Sequence, residues 1–230
     1  MATIWLGLNN QLILYIHPRY IVFTLIMAAL ALILVIASFM LRAPHTHEQP
    51  NTRRQNLVAN TAAVLALIVA VAMVVIPPAT LTSATVAQRS INSSGVGAEV
   101  QSVADADSAA EGAFATFTVL DWASLLRQTS DTSFYADKPA SVVGFITEDA
   151  DDPTNVFYVS RFVVTCCAVD AQPVGVPVYL PGWQDDHKLD DWVEISGGFV
   201  ANPSSSSAQQ IALVPDVVTP VGEPSEPYLF

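Results

Sequence analysis

Residues 155–170, NVFYVSRFVVTCCAVD, form the stretch on which the fold of this chain turns. The run is β-branched and aromatic, the chemistry of a pleated and half-buried surface, and Asp- and Pro-containing breaks bound it. Four further runs of the same kind surround it: SVVGFITE (141–148), VGVPVYLP (174–181), DWVEISGGFV (191–200) and QQIALVPDVVTPV (209–221). Upstream, FTVLDWASLLRQTSD places Leu120, Trp122, Ala123, Leu125 and Leu126 at helical spacing, with Asp121 as the expected N-cap of one short helix. One helix and five strands in residues 114–230 predict a small, strongly curved OB-like barrel, with an open α+β sandwich as the alternative. Gly144, Gly197 and Gly198 are the places for its bends or bulges.

The chain outside this domain has a different solvent. With 52% hydrophobic and only 13% charged residues among 230, part of the molecule is expected to face lipid. Residues 20–41, YIVFTLIMAALALILVIASFML, carry no formal charge and are long enough for a bilayer core. Residues 57–76, LVANTAAVLALIVAVAMVVI, form a second such run, with Asn60 and Thr61 near its start and small alanines that permit close helix approach. The reading is therefore two transmembrane helices in a hairpin over 20–77, followed by a mainly β domain.

Arg42, Arg53 and Arg54 lie in the short connection RAPHTHEQPNTRRQN (42–56), whereas everything after Pro77 holds five basic residues. The positive-inside rule then predicts a multi-pass protein of the cell membrane with a cytoplasmic loop and both termini extracytoplasmic, Arg19 counting against it. Residues 1–19 read as an interfacial segment with Trp5 and Tyr15 near the headgroups. Residues 78–113 read as a Ser/Ala-rich linker with few large apolar side chains, and 114–230 as an extracytoplasmic β domain.

A net charge of −12 excludes a basic surface that grips a phosphate backbone, so no nucleic acid is expected as a partner. Two adjacent cysteines cannot staple distant loops together. They are the unusual chemistry of the chain. Cys166 and Cys167 are soft donors for a thiophilic ion such as Zn²⁺ or Cu⁺, and Asp170 could add a hard ligand if the backbone curls back. In a regular strand the two thiols would point to opposite faces, so a shared ion requires a bulge or turn. Packing residues and a thiol redox role are the alternatives, although there is no C-x-x-C spacing. Arg161 can help the thiols if the strand bends, and otherwise pairs with a carboxylate.

His45, His47 and Glu48 offer a weaker metal reading and are more simply a polar loop. The clusters Asp149, Asp151, Asp152 and Asp185, Asp186, Asp190, Asp191 lack the glycine turn of a calcium loop and read as solvated hairpin tips. No nucleotide-binding glycine motif, H-E-x-x-H or supported catalytic triad is present, so the chain is not expected to be an enzyme and no cofactor is specified.

The combination YIHPRY, two apolar helices, GFI, FYVSRFVVTCCAVDAQPVG, DDWVEISGGF and a terminal PYLF resembles the bacterial permease-subunit family typified by Bacillus YcgQ. That resemblance implies a C-terminal domain of unknown function and a partner in the form of a larger multispanning permease subunit. It implies an accessory transport role linked to metal; an envelope interaction module and a thiol-based redox module are alternatives that stand apart from the resemblance. It marks Arg161, Phe162, Cys166, Cys167, Asp170, Pro173 and Gly175 as signature positions, with His17, Pro18 and Arg19 near the membrane region.

Overall fold

The computed structural model describes residues 2–41, 53–75, 80–92, 101–109 and 112–230. The chain divides into two compact units, Met1–Ala79 and Thr80–Phe230. The first begins with α1 (Ala2–Leu8), which turns at Asn10 through a left-handed φ of 57° and buries Leu12 and Ile13. His17 then caps α2 (Pro18–Met40): its Nδ1 accepts the Arg19 N–H at 3.1 Å, and Pro18 occupies a first-turn position whose missing N–H leaves no bond unmade. Gly7 lets α1 approach α2 closely, since a Cβ there would lie 2.5 Å from Leu25 Cδ2. The third helix, α3 (Arg53–Val75), begins with RRQN, and the Thr61 hydroxyl bonds back to the carbonyls of Leu57 and Val58 in its own helix.

These helices correct the membrane reading. Among the described residues one helix is long and apolar enough to cross a membrane, Pro18–Ser38, and none of its span is buried. In α3, among the described residues, the apolar stretch is Asn60–Val69, shorter than the 57–76 run that composition assigns to a span, and Asn60 and Thr61 stand at its start. The two-helix transmembrane hairpin is therefore replaced by a single candidate span. The multi-pass localisation with both termini extracytoplasmic falls with it. The connection carrying Arg42 and His45–His47–Glu48 lies outside the described residues.

The second unit holds β1 (Ala140–Glu148), β2 (Val156–Val163), β3 (Gln172–Tyr179), β4 (Trp192–Ala201), β5 (Ile211–Pro220) and β6 (Tyr228–Leu229). They form a six-stranded sheet in the order β1-β4-β5-β3-β2-β6, with a further antiparallel pairing between β1 and β2. This corrects the five-stranded OB-like barrel. A sixth strand from the C-terminal tail pairs with β2 in parallel, and β3 meets β5 at one registered pair, Val178↔Leu213. The tail strand has only two residues, too short for any alternation to announce it in the sequence. A register shift at Ser196/Gly197 bends β4 against β5; a Cβ on Gly197 would collide with the Val214 carbonyl oxygen.

Among the described residues this unit has α4 (Ser83–Val86), α5 (Val103–Asp107), α6 (Val119–Gln128) and α7 (Thr132–Tyr135), the last two within 114–230, where one short helix is expected. The N-cap of α6 is Thr118, not Asp121. Asp121 sits three residues on and closes a capping box by accepting the Thr118 N–H at 2.8 Å. The inward face of α6 delivers Trp122, wholly buried among Phe114, Phe117 and Phe199. Burying one such ring contributes on the order of 2–3 kcal/mol, which helps to fix the helix on the sheet.

The described part of the Ser/Ala-rich stretch is tied into the same unit. Ser83 donates N–H and hydroxyl to the Asp190 carboxylate at 2.6 and 2.9 Å, and Leu81 N–H meets the Tyr228 hydroxyl at 3.0 Å. The Asn92 side chain brackets Gly175, accepting its N–H at 2.9 Å and donating to its carbonyl at 2.8 Å. Residues 80–92 thus run across the sheet as a strap.

Candidate metal centre

The strand that contains the signature sequence ends earlier than its apolar run suggests. β2 stops at Val163; Val164 remains buried and donates its N–H to the Leu229 carbonyl at 2.9 Å, after which the chain turns. Asp170 closes that turn. Its Oδ1 accepts the Thr165 N–H at 3.2 Å, and its Oδ2 accepts those of Cys166 and Cys167 at 2.8 and 3.3 Å. The Asp170 N–H in turn bonds the Cys167 carbonyl at 3.0 Å. A carboxylate that gathers three backbone donors replaces the strand ladder that would have sent the thiols to opposite faces.

As a result Cys166 Sγ, Cys167 Sγ and an Asp170 carboxylate oxygen all lie within 4.8 Å of one another. Both thiols are free, Cys166 exposed and Cys167 half-buried. The turn required for a shared ion is present, and Asp170 both builds it and borders the thiols. Two soft sulfur donors and one hard oxygen suit Zn²⁺ or Cu⁺, with an open side toward solvent for a further ligand. The hydrogen bond and charge of Cys167 hold the Cys166 thiol above its ordinary pKa, with Asp170 adding to the shift. At neutral pH Cys166 therefore keeps its proton until a cation displaces it.

Among the described residues Arg161 neither reaches toward the thiols nor pairs with a carboxylate. Its Nε donates to the Pro227 carbonyl at 2.8 Å, Nη2 to the Glu226 carbonyl at 2.6 Å and Nη1 to the Val143 carbonyl at 3.4 Å, with the guanidinium over the Trp192 ring at 5.3 Å. Burial pulls its pKa down, and the Glu226 charge opposes that shift. Phe162 stacks on Phe145 and meets Tyr228 edge-on. Pro173 pairs with Phe162 across the hairpin, its carbonyl taking the Asn92 N–H at 3.1 Å, and Gly175 receives the Asn92 side chain. The signature positions thus separate into a frame of Arg161, Phe162, Pro173 and Gly175 and a turn of Cys166, Cys167 and Asp170.

The acidic clusters also do more than solvate loop tips. Asp149, 3% exposed, accepts the N–H groups of Asp151 and Asp152 at 2.9 and 2.8 Å and a hydroxyl from Ser207 at 3.2 Å. Asp190 anchors the strap at Ser83, and Asp191 accepts the Lys188 N–H at 2.8 Å. Sequence reasoning passed over Arg89, whose Nη2 donates to the Val169 carbonyl at 3.2 Å, one residue before Asp170. The signal was available: Arg89 is the sole basic residue in 79–111.

No curated protein matches the chain. The family comparison is informative where that one is not. The DUF1980 C-terminal domain covers residues 106–230, taking in the sheet and the thiol turn, and the DUF1980 N-terminal domain covers residues 1–92, so the chain belongs to the DUF1980 family, whose domains are of unknown function.

Proposed function

We propose that the turn Thr165–Asp170 binds a thiophilic cation and that the chain acts, without catalysing a reaction, as an accessory subunit of a permease for a metal or metal-linked substrate. The observation that carries the metal reading is the convergence of two thiols and a carboxylate within 4.8 Å. The resemblance to the permease-subunit family supports the transport part, and the exposed apolar helix Pro18–Ser38 supports association with an apolar surrounding. An open turn gives a cation a route on and off, which suits handover better than permanent storage.

Binding should be pH-dependent in a defined direction. Uptake converts thiols to thiolates, so proton release accompanies it at neutral pH and affinity falls as the medium is acidified. Equilibrium dialysis of the purified, reduced, full-length chain against Zn²⁺ should give one bound ion per chain, lost in Cys166→Ser and in Cys167→Ser. Equal retention by the double variant would remove the site. Copurification of the tagged chain with a multispanning partner tests the transport part separately, and its absence under mild solubilisation would sink the subunit reading.

A further inference from the structure

A second place in the C-terminal unit has the character of a binding site and shares no ligand atom with the thiol turn. The strap at 83–91 does not lie flat on the sheet: between it and the end of β1 is a cavity of about 640 Å³, within the range that small-molecule sites occupy. Its lining combines three chemistries. Val86 and Leu189 supply apolar surface, Arg89 one cation, and Glu148 and Asp151 two exposed carboxylates, with Tyr158 at the wall.

The charges are what identify a ligand. Arg89 makes no ion pair among the described residues, despite the surrounding acidity; it holds the Val169 carbonyl through Nη2, and its buried Nη1 has no acceptor. A guanidinium without a counter-ion in a cavity wall is a partner for an anion. On the other wall Glu148 and Asp151 have no side-chain hydrogen bond or ion pair among the described residues, whereas Asp149 beside them accepts two backbone N–H groups and the Ser207 hydroxyl. A simple anion would meet the repulsion of these carboxylates, and a simple cation would leave Arg89 unmatched. A molecule bearing both charges answers both walls.

We propose that this cavity binds a small zwitterion of the amino-acid class, its carboxylate directed to Arg89, its ammonium to Glu148 and Asp151, and its apolar side chain to Val86 and Leu189. Because Arg89 also holds the carbonyl of Val169, ligand contact with the guanidinium bears on the chain just before Asp170.

The test is isothermal titration calorimetry of the full-length chain with three probes of one apolar skeleton: L-leucine, isocaproate, which lacks the ammonium, and isoamylamine, which lacks the carboxylate. Leucine should bind at least tenfold more tightly than either analogue. Arg89→Gln and the pair Glu148→Gln with Asp151→Asn should each weaken it at least tenfold, and Arg89→Lys should recover part of the loss. Thermal unfolding of each variant checks that the unit is intact. Absence of leucine binding to the wild-type chain, equal binding of either analogue, or leucine binding unchanged in folded Arg89→Gln would overturn the proposal. The double substitution of Cys166 and Cys167 by serine should leave leucine binding in place, which separates failure of this site from failure of the metal centre.

Discussion

Two hairpin tips of the C-terminal unit use the same backbone device to different ends. At the β1–β2 tip Asp149 collects the N–H groups of Asp151 and Asp152; at the β2–β3 tip Asp170 collects those of Thr165, Cys166 and Cys167. The first carboxylate is buried and backed by Ser207, and its neighbour Asp152 binds Ser204, so the tip is sewn to the loop that precedes β5. The second is half-buried with two free thiols at its side. An aspartate in a turn is thus a structural element in both. What distinguishes the second as a site is soft donors where the first has hydroxyls and backbone.

The largest stability effect is expected at the closed tip. Asp149→Ala removes a buried carboxylate that two part-buried backbone donors and the Ser207 hydroxyl share, and should cost ~2 kcal/mol in denaturant unfolding. Asp170→Ala should cost only ~1 kcal/mol, because the donors of a half-exposed turn can turn to water. Its larger effect should be on metal: affinity falls about tenfold as the turn loses its shape and a neighbouring donor. Asp170→Asn retains an acceptor oxygen and should recover most of the stability but not the full affinity. Equal destabilisation by the two alanine variants would erase the contrast between the tips.

Helix capping gives a reference of the same size as the open tip, away from both. Thr118→Ala removes one half of the capping box of α6 and should cost ~1 kcal/mol, measurable by thermal unfolding with no change in metal uptake. A loss of metal with this variant would mean that the turn reports global stability rather than local geometry.

Acid should separate the tips by a smaller margin. Hydrogen bonds from Ser204 first and Asn155 second hold the Asp152 carboxyl below its ordinary range. A depressed carboxylate contributes stability that is present above its unfolded pKa and lost as pH falls through its folded pKa. The protection of backbone amides in residues 202–210, measured relative to their intrinsic exchange rate at each pH, should therefore hold at neutral pH and fall once the medium drops below the ordinary carboxylate range. Unchanged protection down to the folded pKa would show that the Ser204 contact contributes nothing.

How far the sequence reveals this arrangement depends on whether a contact is local. The positions of β1 to β5 are legible, because each is a β-branched run interrupted by Asp, Pro, Gly or Ser. The sixth strand is not, since Tyr228 and Leu229 pair with β2 from the far end of the chain. The α6 helix is legible from its apolar spacing, but its cap was placed at Asp121 because the reciprocal role of Thr118 is visible only from the backbone geometry. Charge statistics point Arg161 to a carboxylate; its acceptors are main-chain carbonyls, two of them 65 and 66 positions later, which no charge pattern encodes. The second apolar run counts as a span by composition, yet in α3 the qualifying apolar part is only Asn60–Val69. For the thiol turn, residue types suggested the donors and Asp170 the curl, whereas the early end of β2 depends on how that carboxylate competes for backbone donors. Arg89 and the cavity were hidden because the strap is held by Asp190 and Asn92, partners distant in sequence.

Cobalt(II) titration of the reduced, full-length chain under anaerobic conditions tests the metal centre most directly, since thiolate ligation gives a sulfur-to-cobalt charge-transfer band whose intensity tracks the number of sulfur ligands. The account predicts a band that saturates at one Co²⁺ per chain with the intensity of two thiolates, is lost in Cys166→Ser, in Cys167→Ser and in the double variant, and is displaced by Zn²⁺. A wild-type spectrum indistinguishable from that of the double variant would contradict it, leaving Cys166 and Cys167 without a shared ion and Asp170 as a turn-former alone.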